Sequence, residues 1–198
     1  MQETLIKNGK VFSGYDEPSK IANILVKDGK VAQISTSDID APNAKVIDAK
    51  GKWVMPGFID NHTHYDGEIL VAPSLGESVR HGVTTVLLGG CSLSFVTADV
   101  EDCCDMFTRV EAFPREILNP ILIKQKTWTK PKEWINHINT LNVGPNVASF
   151  LGHSDIRAKV MGIDRALSKT EMPTDAEIKQ MADMLDDALE NGFLGISM

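Results

Sequence analysis

Pro56-Gly57-Phe58-Ile59-Asp60-Asn61-His62-Thr63-His64-Tyr65-Asp66 sets a short apolar run directly before two histidines. Residues two apart in a strand point to the same face. His62 and His64 are therefore expected side by side at the end of a strand. Neutral imidazole is a good ligand for zinc, and a catalytic zinc takes about three protein ligands plus an open position for water. Two ordinary polar residues closing a strand would read the same way in isolation. The Pro-Gly lead-in, the apolar run and nearby Asp66 favour the metal pair.

Upstream, residues 1–55 read as a small β unit. Asn8-Gly9 lies between Thr4-Leu5-Ile6-Lys7 and Lys10-Val11-Phe12, and Asp28-Gly29 between Ile24–Lys27 and Lys30–Ile34. Such pairs between apolar runs predict hairpins, because both turn residues must reach positive φ. Lys50-Gly51 is a third candidate turn.

Downstream, residues 56–198 alternate strand-like and helical stretches. The strands expected are Phe58–Asn61, Val83–Leu88, Val147–Leu151 and Phe193–Ser197. Ser74-Leu75-Gly76-Glu77 and Thr174-Asp175-Ala176-Glu177 fit capping boxes that open helices, ended by Gly82 and by Asn191-Gly192. Residues 99–142 read as helical, broken at Pro114, Pro120 and Pro131. This alternation implies an α/β fold with a parallel sheet and helices packed outside it. Ligands of such sheets sit beyond the carboxyl ends of the strands.

Composition excludes several classes. Acidic residues outnumber basic ones 27 to 20, net charge is -7 and no Lys/Arg run occurs, so a nucleic-acid partner is not expected. Neither a signal segment nor an apolar run near ~20 residues is present, so no membrane partner is expected. Three cysteines, two of them adjacent, make a poor disulfide framework, and a reducing cytoplasm is the expected location.

The other candidate residues carry open alternatives. Cys91 follows two glycines at the end of the second strand. It is the natural third metal donor, or else an inert buried thiol. Cys103 and Cys104 fall in a helical stretch and read as core. His153 ends the third strand, as an active-site residue or as part of a plain turn. Arg157 can grip a carboxylate bidentately or sit on the surface. His81 reads as a helix C-terminal residue, and His137 as a helix surface residue.

These residues together resemble a known family. Pro56–Asp66 resembles the first barrel strand of the amidohydrolase superfamily. His81–Val86 with Gly90-Cys91, Phe150–Ser154 with Arg157 and Val160-Met161-Gly162, and Ala188–Gly192 with Leu194–Ser197 resemble the next three strands of its D-aminoacylase (N-acyl-D-amino-acid deacylase) group. The resemblance implies the amino-terminal half of a metal-dependent (β/α)₈ TIM barrel over 56–198, preceded over 1–55 by part of a small β-sandwich. It implies one or two Zn²⁺ ions, with His62, His64 and Cys91 as ligands and His153 and Arg157 near the substrate. Other amidohydrolases use a carboxylated lysine on the fourth strand. Phe193–Ser197 has no lysine, in keeping with a cysteine-type site. The group usually reads Gly-Asn-Cys-Gly where this chain has Gly89-Gly90-Cys91-Ser92.

The implied reaction is hydrolysis of a non-peptide amide, an N-acyl-D-amino acid giving a carboxylate and a D-amino acid. A dihydroorotase- or hydantoinase-like cyclic-amide hydrolase, a deaminase and a non-catalytic fragment are the alternatives. The family also uses two histidines from the fifth and sixth strands and a base aspartate from the eighth, so no catalytic base is expected among these residues. A barrel of this type needs about 250 residues, and about 140 follow Pro56. The chain therefore reads as truncated, poorly stable or self-associating alone, and inactive alone.

Overall fold

A computed structural model describes residues 3–198. The chain divides into two compact units, Met1–Gly57 and Phe58–Met198.

The first unit is built around one strand. Thr4–Val11 (β1) pairs antiparallel with Lys20–Lys27 (β2), which pairs antiparallel with Lys30–Ser35 (β3). Asp28 and Gly29 form the two-residue turn between β2 and β3 at φ 53° and 73°, as the sequence predicts. Asn8-Gly9 does not turn the chain. It lies inside β1 as a bulge, where the register with β2 shifts between Ile6 and Gly9. Neighbours satisfy the extra residue: the Asn8 backbone N–H donates to Asn23 Oδ1 at 3.0 Å, and its side-chain amide donates to Asp48 Oδ1 at 3.0 Å. The Lys50-Gly51 turn is closed by Lys52 N donating to Ala49 O at 2.9 Å. It joins no hairpin, because Lys45–Asp48 (β4) and Trp53–Val54 (β5) both run parallel to β1. Val11, Ala22 and Ile24 form a small core with Ile6, Val26 and Val54. Ile21, Val31, Val46 and Trp53 remain exposed.

The second unit is α/β. Phe58–Asp60 (β6), Val83–Leu88 (β7) and Asn146–Ser149 (β8) form a parallel sheet in that order. Gly76–Arg80 (α1) lies between β6 and β7 in the chain. Val100–Val110 (α2), Arg115–Gln125 (α3) and Pro131–Ile138 (α4) lie between β7 and β8. After β8, Phe150 N donates to Leu88 O at 3.0 Å and the chain continues as Leu151–Gly152 (β9). His153–Met161 (α5), Ile163–Leu167 (α6) and Asp175–Glu190 (α7) then lead to Ile196–Ser197 (β10), which runs parallel to β9. The core gathers Leu88, Phe95, Phe107, Leu122, Leu151 and Ile156, all 2 % exposed or less. No helix among the described residues is long and apolar enough to cross a membrane.

Two helix details differ from expectation. Ser74 does not cap α1: Leu75 occupies the cap position at φ 43°, with no side-chain cap hydrogen bond. Leu75 is 1 % exposed, so burial of this leucine, rather than the Ser74 hydroxyl, sets where the helix starts. Pro120 does not break the chain but lies inside α3. An interior proline costs roughly 3 kcal/mol, and here the turns on either side bury Leu118 and Leu122. Pro131 starts α4 at its first position, where no N–H is needed.

The capping box of α7 forms in full, with Thr174 accepting from Glu177 N and Glu177 accepting from Thr174 N at 2.8 Å. Hydrogen bonding from Arg165, and then from the Thr174 backbone, holds the Glu177 carboxyl down at about 2. A depressed carboxyl stabilises the fold above its ordinary value near 4.5, and that contribution is lost as pH falls toward 2. The first turn of α7 is therefore expected to fray across this window, seen as a falling protection factor of the Glu177 amide once the intrinsic pH dependence of exchange is divided out. A protection factor that stays flat through the window would rule this out.

Candidate metal centre

Backbone pairing beyond the strand ends builds this site. β6 stops at Asp60, so neither histidine lies in a regular strand. The pairing is carried further by Thr63, whose N–H and hydroxyl both donate to Leu87 O, at 3.2 and 2.6 Å. Thr63 is thereby buried against β7. His62 and His64 flank it, with ring centroids 5.3 Å apart.

Cys91 reaches them by a sharp reversal after β7. Gly89 has φ 73°, and a Cβ there would collide with the Phe150 carbonyl. Cys91 and Ser92 follow at φ 49° and 68°, both left-handed. The resemblance expects glycine at the Ser92 position, and this φ shows why. Serine is held there by polar contacts: its N–H donates to Ser197 Oγ at 3.1 Å, and its hydroxyl pairs with Ser154 Oγ at 2.7 Å. Ser154 N also donates to Ser92 Oγ at 2.8 Å, and Ser197 Oγ donates to Gly89 O.

The result is a compact donor group. One ligand atom from each of His62, His64 and Cys91 lies within 4.8 Å of the others, and His62 Nε2 is 3.0 Å from Cys91 Sγ. Two imidazoles and a thiol suit zinc. His64 Nδ1 is buried without a hydrogen-bond partner. A buried ring nitrogen without a partner, on a residue of this donor group, fits a group that receives an ion. Glu111, just past the end of α2, places Oε1 3.5 Å from His64 Nε2.

Two buried carboxyls lie behind the group. Asp66 is 4 % exposed. Burial pushes its pKa up to about 7, against the Gly89 backbone N–H and with a small further rise from Asp155. Asp155 is fully buried in the first turn of α5 and acts as an anchor. Its carboxylate accepts from Ser94 Oγ and Val96 N at 2.5 and 2.9 Å. It also accepts from Thr97 Oγ1 and Ala98 N at 3.0 and 2.5 Å, and from Thr97 N. This ties the segment after Cys91 to the helix after β9.

His153 and Arg157 stand apart from the donor group. His153 is the first residue of α5. Burial, and then the Arg157 charge, lowers its pKa. Arg157 Nε donates to Ala166 O at 3.1 Å. With Leu93, Ser154 and Ile163 it lines a cleft of about 460 Å³. Cys103 and Cys104 are buried in α2, as expected for core residues. His81 caps α1, with Nδ1 2.7 Å from Glu77 O. His137 is not a plain surface residue: its ring packs on Trp128 at 4.6 Å and its Nε2 is buried.

Glu111 and Asp155 escaped the sequence reading. Glu111 is an acidic residue at a helix end, which usually means a solvated position. For Asp155, the only signal is its place three residues into a helix that follows a strand.

Replacing Asp155 with alanine strands three backbone N–H groups and two hydroxyls in the core. The expected loss is about 3–5 kcal/mol of unfolding free energy, measured by urea denaturation. A loss under ~1 kcal/mol would mean the segment is held by other contacts.

Residues 45–198 match the model of the amidohydrolase family. An uncharacterised protein of Mycobacterium tuberculosis is 51% identical over 98% of this chain, which covers 32% of that protein. A solved D-aminoacylase, studied for its binuclear metal center, superposes with a TM-score of 0.81 at 28% identity, over 98% of this chain and 38% of its own. N-acyl-D-glutamate deacylase from Bordetella bronchiseptica, solved with zinc and a phosphonate inhibitor, gives a TM-score of 0.78 at 28% identity, over 100% of this chain and 38% of its own. The chain thus spans about a third of the length of the curated relatives it matches. By this match over most of its length, with a fold like that of the D-aminoacylases, the chain belongs to the amidohydrolase family.

Proposed function

We propose that the protein carrying these residues is a zinc-dependent hydrolase of N-acyl-D-amino acids. The second unit would supply the first strands of its (β/α)₈ barrel, and the first unit part of its small β-sandwich. The observation that carries this reading is the convergence of His62, His64 and Cys91 at the carboxyl ends of parallel strands. Family membership supports amide hydrolysis. The two solved relatives, a D-aminoacylase and an N-acyl-D-glutamate deacylase, support the substrate class. A reducing cytoplasm suits the three free cysteines.

In this reading, His62, His64 and Cys91 would hold the zinc. When bound, zinc polarises the scissile carbonyl and lowers the pKa of a coordinated water to about 7. The protein residues bind and orient. Arg157 has further guanidinium N–H groups without hydrogen-bond partners among the described residues, so it can meet a substrate carboxylate in a bidentate pair. His153, whose charged form is disfavoured by burial and then by the Arg157 charge, is available as a hydrogen-bond partner for the substrate. The base aspartate and the two later histidines that this reading also needs would lie outside the described residues.

The test uses the native full-length polypeptide loaded with zinc. It is expected to release free amino acid from N-acyl-D-amino acids but not from hydantoins or dihydroorotate. Cys91→Ser is expected to reduce that release to background and to lower bound zinc. Turnover of the cyclic amides alone would replace the substrate class. A Cys91→Ser protein with full activity and zinc content would remove Cys91 from the site.

A further inference from the structure

We propose that Ser197 is a positioning residue for the metal centre. Its hydroxyl clasps the backbone on both sides of Cys91 and so sets where the thiol stands. The inference deepens the metal-site reading above and rests on it.

Three observations converge on it. The first is the clasp itself. Ser197 Oγ accepts from the Ser92 N–H at 3.1 Å and donates to the Gly89 carbonyl oxygen. A hydroxyl carries one proton and two lone pairs, so both bonds form at once. Only Gly90 and Cys91 lie between the two contacts. One side chain, 105 positions beyond Ser92, therefore closes the reversal that carries the thiol.

The second is that nothing else fixes the Cys91 backbone directly. Among the described residues, neither its N–H nor its C=O makes a hydrogen bond, and no donor but Ser197 meets the Gly89 carbonyl. Cys91 and Ser92 are both left-handed, at φ 49° and 68°. Residues with a Cβ rarely adopt that conformation, and it persists only where the surroundings impose it. On the carboxyl side of Cys91, the Ser92 hydroxyl is held by Ser154. On the amino side, the bond from Ser197 to Gly89 is the counterpart.

The third is reach. β10 runs parallel to β9, with Ser197 beside Gly152. A Cβ on Gly152 would come within 2.5 Å of Ser92 O and 2.6 Å of the Leu93 carbonyl carbon. With no side chain there, the loop after β7 lies directly on the end of β9, within reach of the next strand. Serine has a single heavy-atom side-chain torsion, so its hydroxyl on a paired strand is a stiff support.

Ser197 is not one of the three donor residues. It acts through the backbone around Cys91 and not on the ion.

The experiment measures zinc dissociation constants of the native full-length protein by competition with a chromophoric chelator. It compares wild type with Ser197→Ala, Ser197→Thr, Ser197→Val and Cys91→Ser, and follows the thermal unfolding of the metal-free proteins. Threonine and valine share a shape and differ by the hydroxyl, so that pair isolates the clasp from packing. The expected result is a dissociation constant raised about 10-fold in Ser197→Ala and Ser197→Val, the low end for loss of a group that supports a ligand. Ser197→Thr should bind zinc within about threefold of wild type, because it keeps the donor and the acceptor. Metal-free unfolding should be the same for the threonine and valine variants. Where Ser197→Ala unfolds at a lower temperature, the threonine–valine comparison decides. Threonine and valine variants of equal zinc affinity would overturn the proposal. So would a difference in affinity that only follows a difference in their metal-free unfolding. Wild type that binds no zinc, or Cys91→Ser that binds it as tightly as wild type, would instead remove the metal-site reading, and this inference with it.

Discussion

The Asp155 carboxylate organises the second unit. A single buried side chain accepts hydrogen bonds from Ser94, Val96, Thr97 and Ala98. A buried carboxylate without partners would be costly. Here its lone pairs are met by backbone N–H and hydroxyl donors, and it lies at the favourable, positive end of α5. Ser94 Oγ also accepts from Gly152 N at 3.0 Å, so the same cluster reaches the end of β9. The segment after Cys91 is irregular, yet the N–H groups of Ser92, Leu93, Val96, Thr97 and Ala98 all find acceptors. That is why a loop with two consecutive left-handed non-glycine residues holds one conformation.

The three-residue donor group depends on this anchoring from both sides. Thr63 fixes the histidines by pairing with Leu87, the last residue but one of β7. The anchor and the Ser92–Ser154 pair fix the cysteine from the helix side. Convergence of His62, His64 and Cys91 is thus a property of the sheet ends. The three side chains come from two strand ends joined by backbone hydrogen bonds, which are stiffer than long side chains reaching across a cleft.

Much of this was legible in the sequence. The period-two spacing of His62 and His64 signalled a shared face, and this held although regular strand ends two residues earlier, because Thr63 continues the pairing. Asp28-Gly29 made the turn its residue types require, and Thr174/Glu177 made its capping box. Where reading failed, a tertiary contact had overridden a local signal. Asn8-Gly9 has the chemistry of a hairpin turn, but the partners waiting at Asn23 and Asp48 make a bulge of it. Ser74 has the chemistry of a cap, but burial of Leu75 decides the helix start. Glu111 and Asp155 could not be found locally, because each makes its contact with a group far away in the chain. Asp155 meets residues 57 to 61 positions earlier, and Glu111 meets a histidine 47 positions earlier (111 minus 64).

The tie between Asp155 and residues 94–98 also bears on the order in which the molecule takes shape during synthesis. Chains emerge from the ribosome amino-terminus first, and compact parts form as they become available. Most of the contacts that bring His62, His64 and Cys91 together, from the Thr63–Leu87 pairing to the Asp155 anchor, lie between residues 58 and 155, and Ser197 adds its bonds to Ser92 and Gly89 from β10. A nascent chain with that stretch outside the exit tunnel already holds the Thr63 pairing and the Asp155 anchor, and the Ser197 clasp closes on them last. The histidine pair and the cysteine can therefore come together in outline before β10 is added to β9.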